Sequence, residues 1–304
     1  MQCCGNSTRF LIAALMAAGA GMFFVAQRNV ALAQAAAAPA PTPAADIDPA
    51  LGKGKVIGLD AFYNEEKNGS GFHYHWDDTA NPGYSKFGEV WKSFGATTAK
   101  LAKAPTRADL DKLSIYMIAN PSIPANAVNG KPNYIAPADG DVIEAWVKDG
   151  GVLLMFGNDK NNCEFEHYNT LATRFGIKLN GDLRNLVPNA RDRTPGMFDV
   201  SKLAPDEPLF KGVKQVYMKE VSTLTVKDPA KPLLIADNEQ KTGKDVIIAT
   251  AKVGKGFVFA VGDAWVYNEY IDVASTPGLT LENRKAAVNF VRWILPMSAA
   301  PAAK

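Results

Sequence analysis

Hydrophobic residues in this chain fall into short runs separated by longer stretches of mixed character. Runs rich in β-branched residues cover Val56–Leu59, Ile115–Ala119, Val152–Phe156, Val246–Ala249 and Phe257–Val261, and most are followed directly by Gly, Asn or Asp. Runs of this length bounded by turn residues predict buried strands. Between and after them the pattern changes to helical spacing over Tyr84–Phe94, Ala108–Leu113, Asp141–Lys148, Phe165–Phe175 and Asn283–Leu295. In the last of these Ala287, Phe290, Val291 and Ile294 share one face. Alternating strands and helices predict an α/β domain with a doubly wound, mostly parallel sheet.

Two local signals sharpen this reading. Asn161 and Glu164 stand in capping-box register ahead of the stripe Phe165, Tyr168, Ala172 and Phe175, and Gly176 supplies a stop. The stretch Ala251–Gly256 reads as a hairpin turn between two apolar runs, and it lacks the residues and spacing of a phosphate-binding P-loop.

The N-terminus has a different character. Arg9 precedes an apolar run from Phe10 to Ala26, and small-x-small sites follow at Ala31–Ala35, so residues 1–35 read as a secretory signal peptide, with an uncleaved membrane anchor as the alternative. Export to the periplasm or the extracellular space is the expected consequence. Residues 36–50 are dominated by Ala and Pro and read as an extended tether. One α/β domain then covers 51–297, with a tail at 298–304. Loss of Cys3 and Cys4 with the signal leaves Cys163 alone, which excludes an internal disulfide.

A composition of 47% hydrophobic and 21% charged residues is that of a globular protein. The net charge of +2 equals the contribution of Arg9 and Arg28, so the body is neutral. That removes the electrostatic footprint of a nucleic-acid binder and leaves the N-terminal segment as the one expected route to a membrane.

Ligands of doubly wound sheets bind beyond the carboxyl ends of the strands. The residues there are Asp60, Asn120, Gly157, Asn158, Asp159, Gly262 and Asp263. They also have the residue types that merely turn a chain or cap a helix. Two of the three histidines lie in Phe72–Asp78, where an extended chain would put His73, His75 and Asp77 on one face. With His167, one helical turn after Glu164, they form a candidate site for a divalent metal; the competing reading is histidines hydrogen-bonded to neighbouring carboxylates. No other cofactor is expected. Glu65, Asp77, Asp159, Glu164, Glu166, Asp263 and Glu269 are available for acid/base chemistry. Trp76, Tyr84, Trp265 and Tyr267 could stack on a sugar ring or belong to the core. After the sharp turn at Gly157, the position of an elbow nucleophile holds Asn158, and Cys163 lies farther on and reads as a structural thiol.

The segment Asp141–Gly157 resembles the helix–strand unit of the class I glutamine amidotransferase-like superfamily, including its ThuA-like branches. The segments Gly58–Glu65, Tyr74–Asp78, Asn81–Ser85, Gly157–Asp159, Glu164–Asn169, Glu220–Thr225 and Gly262–Tyr270 resemble a domain found in some bacterial proteins of the unsaturated rhamnogalacturonyl hydrolase group. The resemblance spans about Lys55 to Leu295. It implies a flavodoxin-like sheet and a setting in polysaccharide breakdown outside the cytoplasm. It does not imply the hydrolase activity, which belongs to an (α/α) barrel, nor the amidotransferase chemistry, because Asn158 stands at the nucleophile position.

The positions implied to line one pocket are Asp60, Asn64, Glu65, His75, Trp76, Asp77, Asn158, Asp159, Glu164, His167 and Asp263. Asp60, Asp159, Glu164 and Asp263 are the catalytic candidates; Asn64, Glu65, His75, Trp76, Asp77, Asn158, His167 and Trp265 are the binding candidates. Three readings stay open: a domain that binds or processes acidic, uronate-containing oligosaccharides, as an enzyme or as helper to a glycoside hydrolase; a metal-dependent hydrolase or lyase; and a noncatalytic tethered scaffold.

Overall fold

The computed structural model describes residues 47–68, 71–80, 83–188, 192–238, 243–272 and 279–301. The signal segment, most of the tether, Asn81 and Pro82, and the last three residues of the tail lie outside the described residues.

The strands are β1 (Val56–Asp60), β2 (Lys67–Asn68), β3 (Gly71–Phe72), β4 (Thr97–Leu101), β5 (Ile115–Ala119), β6 (Val152–Phe156) and β7 (Ile177–Leu179). There follow β8 (Met197–Asp199), β9 (Gln215–Tyr217), β10 (Leu224–Val226), β11 (Ala230–Asn238), β12 (Gly243–Val253) and β13 (Gly256–Val261). The helices are α1 (Ser85–Ser93), α2 (Arg107–Leu110), α3 (Pro137–Lys148), α4 (Glu166–Ala172), α5 (Val200–Leu203) and α6 (Asn283–Ile294).

The apolar runs build the middle of a nine-stranded sheet, in which β4, β1, β5, β6 and β13 lie side by side and parallel. Counted along the chain, these are the second, first, third, fourth and fifth parallel strands, the flavodoxin-like order. Side chains alternate between the faces, as a strand's period of two requires. Ile115, Met117, Ala119, Val152, Leu154 and Phe156 join α1 and α6 in one core. Tyr116, Ile118, Leu153 and Met155 join α2, α3 and α4 in the other. The fold is thus a doubly wound α/β sandwich.

An antiparallel extension adds to this arrangement. The run Val246–Ala249 is the middle of the longer β12, which pairs antiparallel with β13 across the expected turn at Gly254, where φ is +58°. β10, β7 and β11 continue from it, all antiparallel. β4 escaped the hydrophobic pattern because, as an edge strand, it has no fully buried residue.

The Phe165 helix starts later than its sequence suggests. Asn161 does not cap it; the Asn161 N–H is held by Asp159 Oδ1 at 2.7 Å. Glu164 itself accepts from the backbone N–H of His167 at 3.1 Å and of Tyr168 at 3.3 Å, so it closes the first turn of α4 from just outside the helix. The stop is where expected, with Gly176 left-handed at φ +76°.

Ala119, Phe156 and Val261 are neighbours in register, so β5, β6 and β13 end flush. Gly262 lies in this line, and a Cβ on it would sit 1.6 Å from the Ser222 carbonyl oxygen. Gly262→Ala is expected to cost about 3 kcal/mol or more in urea unfolding, because only backbone movement relieves the clash. A loss under about 0.5 kcal/mol would show that the two chains do not approach so closely.

Candidate functional site

The carboxyl edge of the parallel strands is assembled from three loops. After β1, the Asp60 carboxylate accepts from the backbone N–H groups of Phe62 (3.3 Å), Tyr63 (3.0 Å) and Asn64 (3.0 Å) and from the Tyr116 hydroxyl (3.2 Å). Asn64 Nδ2 then donates to the Asn120 carbonyl at 2.7 Å, fastening this loop to the end of β5. Ser122 Oγ accepts from Glu65 N–H at 2.8 Å. Asp60 is buried, and burial outweighs its hydrogen bonds and raises its pKa to about 6.

After β6, Asn158 accepts from Asp159 N–H at 2.9 Å and donates through Nδ2 to the Tyr74 hydroxyl at 3.3 Å. Asp159 is buried, and its two oxygens accept from Asn161 N–H and from the Asn162 side chain. Cys163 is buried, and burial pushes its thiol pKa well up. His167 Nδ1 lies 3.2 Å from Glu164, and its ring stacks on Tyr134 at 4.2 Å.

Beyond β13 stands Asp263, fully buried. Its Oδ1 accepts from Trp265 N–H at 2.9 Å, whereas Oδ2 has no hydrogen-bond partner. Burial pushes this carboxyl well above the usual range; Lys219 opposes the shift and Glu220 and Asp159 add to it. Lys219 Nζ sits 4.4 Å over the Trp265 ring and 3.3 Å from Glu220. Tyr74 connects the loops, since its hydroxyl meets Asn158, and its pKa is raised first by burial and then by Glu66 and Asp263. Asn120 donates to Glu66 at 3.1 Å, but its Oδ1 has no partner. His75 Nε2 and Glu65 Oε2 are further enclosed polar atoms without a partner. Each such atom carries a desolvation cost of about 1–3 kcal/mol, and in a native protein it calls for an acceptor, a donor or an ordered water.

Several expectations are corrected. Residues 73–77 form turns rather than an extended strand, and Tyr74 has φ +58°, so His73, His75 and Asp77 do not share a face. His73 meets Asp78 at 3.0 Å. His75 is buried and its pKa is lowered to about 4 by burial. Asp77 is exposed and pairs with Lys100 at 3.0 Å. Among the described residues no group of three or more His, Cys, Asp and Glu could hold a metal ion, so His73, His75 and His167 are not a ligand set.

Trp76 packs against the core and donates from Nε1 to the Ala99 carbonyl at 2.9 Å, tying the loop to β4. Tyr84 and Tyr267 are core residues. The Trp265 ring is already engaged by Lys219 and by Tyr270, which stacks on it at 5.1 Å. Glu166 is exposed, and the side chain of Glu269 lies outside the described residues.

The rim therefore joins Asp60, Asn64, Asn120, Asn158, Asp159 and Asp263. It adds Glu66 and Lys219, which the sequence did not point to, and Tyr74 and Glu220, which stood in the resembling segments without a role. A depression of about 200 Å³ lined by Arg107, Trp146, Gly151 and Pro301 lies at the opposite edge, before β5 and β6, away from these groups.

No family model matches the chain, and no curated protein does either. Solved structures do. The N-terminal domain of mmIFT52 superposes with a TM-score of 0.55 at 18% identity, covering 79% of this chain and 97% of that one. A cytoplasmic protein, STM1381, from Salmonella typhimurium LT2 gives 0.49 at 12% identity, covering 81% and 100%. A ThuA-like protein from Bacteroides uniformis gives 0.43 at 14% identity, covering 80% and 92%. At such identities the first likeness shows a shared fold alone.

The shift of Asp60 has a defined sign. Its folded pKa of about 6 exceeds the ordinary 3.8, so its proton stabilises the fold fully below pH 3.8, and that contribution is lost as pH rises through about 6. Asp60→Asn does not titrate. Relative to this variant, wild type should lose up to about 3 kcal/mol between pH 4 and pH 7 in urea unfolding. A difference that stays flat or grows with pH would contradict the assignment.

Proposed function

We propose that this chain is a saccharide-binding domain that holds its ligand at the carboxyl edge, around Asp263, without cleaving it. The observation that carries the reading is the buried Asp263 carboxyl with one oxygen unpartnered. Burial pushes its pKa well above the usual range, which favours the protonated form, and a protonated carboxyl can both donate and accept. That is the pairing a sugar hydroxyl offers. Asn120 Oδ1 supplies a second enclosed acceptor on the same rim.

Binding is favoured over hydrolysis by how the other carboxyls are used. Glycoside cleavage needs two carboxyl groups facing each other across the scissile bond. Asp60 and Asp159 spend both oxygens on their own loops, and Glu164 caps α4. Glu65 has a free oxygen but takes its hydrogen bond from Asn133, whereas Asp263 lies against Trp265, Lys219 and Glu220. The position of an elbow nucleophile holds an amide, Asn158, and the nearby Cys163 thiol is enclosed.

The resemblance to rhamnogalacturonyl hydrolase-associated domains supports the finer part of this proposal: uronate-containing oligosaccharides, an exported protein, and service as helper to a glycoside hydrolase. The flavodoxin-like sheet is compatible with it.

Calorimetry and thermal melting against neutral and uronic oligosaccharides test the reading. Wild type should be stabilised by at least one of them. Asp263→Asn keeps an acceptor for Trp265 N–H and should weaken that binding about tenfold or more, while melting of the free protein holds or rises. Absence of any saccharide-dependent shift overturns the proposal. So does a variant that melts lower yet binds as wild type does, since Asp263 would then be structural.

A further inference from the structure

Arg193 has no carboxylate partner among the described residues, although it is half-buried and its Nη1 is fully enclosed without a hydrogen-bond acceptor. Arg184, on the same long connection, shows the contrast: it holds Asp245 at 2.7 Å. The Arg193 guanidinium instead lies 5.8 Å from the Tyr217 ring centroid and 5.5 Å from that of Tyr270. The two rings meet edge to face at 5.5 Å. Rings placed this way support a cation by its π-facing side, but they accept none of its in-plane N–H bonds. Tyr270 stacks on Trp265, whose backbone N–H holds Asp263 and whose ring carries Lys219. Gly196 leaves room for this packing, since a Cβ there would come 2.7 Å from Tyr217.

A chain of contacts thus links an unpaired guanidinium N–H, through Tyr270 and Trp265, to Asp263 with its free oxygen. Burial raises the pKa of both Tyr217 and Tyr270, and the Arg193 guanidinium opposes the shift in each. An enclosed guanidinium N–H without an acceptor asks for an acceptor that carries charge.

We propose that Arg193 reads an oxyanionic group, a carboxylate or a phosphate, on the ligand bound at Asp263. Lys219, beside the same Trp265, is already paired with Glu220 at 3.3 Å, so Arg193 is the cation of this cluster left without a carboxylate among the described residues. This inference rests on the saccharide-binding reading and assigns recognition of the ligand's acid group to Arg193.

The test is calorimetry at low and raised salt with a neutral oligosaccharide, its uronic-acid counterpart and inorganic phosphate, on wild type, Arg193→Met and Arg193→Lys. Wild type should prefer the acidic over the neutral sugar about tenfold or more, and salt should reduce the preference. Arg193→Met should bring the ratio to about one. Arg193→Lys keeps the charge, loses the planar fork and should restore part of the ratio, so a folding failure of the Met variant does not blunt the test. Equal affinity of wild type for the two sugars, or a preference that survives Arg193→Met, overturns the inference while leaving saccharide binding in place. Should no sugar bind, while phosphate stabilises wild type and not Arg193→Met, the anion site stands and the saccharide reading falls. A phosphate effect that equals the uronate effect identifies charge alone as the feature read; a larger uronate effect identifies a carboxylate site.

Discussion

The flush register of β5, β6 and β13 is the constraint on which the rest of the molecule depends. Parallel strands covered on both faces must all leave the sheet at one rim, and each must turn there with its backbone groups still satisfied. The chain does this with short polar side chains that bond their own loops: Asp60 after β1, Asn158 and Asp159 after β6, Asp263 after β13. Crowding at the rim follows, because Gly157 N–H must reach Val261 O and Ser222 N–H must reach Gly262 O. Polar groups become enclosed there as a by-product of closing the layers.

Much of the parallel core was legible in the sequence because buried strands need continuous apolar runs, which is what β1, β5, β6 and β13 show. The edge strand β4, with Thr97, Thr98 and Lys100 on a half-exposed ribbon, has no such run. β11 and β12 read as mixed because their ladders carry Lys231 and Lys252 beside Ile235 and Ile248. The candidate site was legible where a residue directly follows a strand. It was misread where the chain leaves regular geometry: a left-handed Tyr74 reverses the side-chain alternation assumed for His73 and His75. Arg193 and Lys219 escaped because the aromatic contacts that define their setting come from segments far apart in the chain.

The acidic residues of the rim also divide by how their oxygens are used. Asp60, Asp159 and Glu164 have hydrogen-bond geometries that any loop of their kind requires, and replacing them disturbs chain path first. Asp263 differs in having one oxygen beyond what its turn uses. The same contrast separates Arg184, locked on Asp245, from Arg193. A surplus donor or acceptor in a closed place, rather than residue type, is what sets the two groups apart.

The hydrogen bond from Asn158 to Tyr74 changes how the sheet is reached. In a flavodoxin-like sheet the natural crevice opens between the first and third parallel strands. Here Asn64 and Glu66, in the loop after β1, are bonded to Asn120 at the end of β5, and Tyr74 is anchored to the turn after β6. The customary doorway is thereby occupied by the protein's own chain, so the groups that a flavodoxin-like crevice would offer to a ligand are spent on holding two loops together.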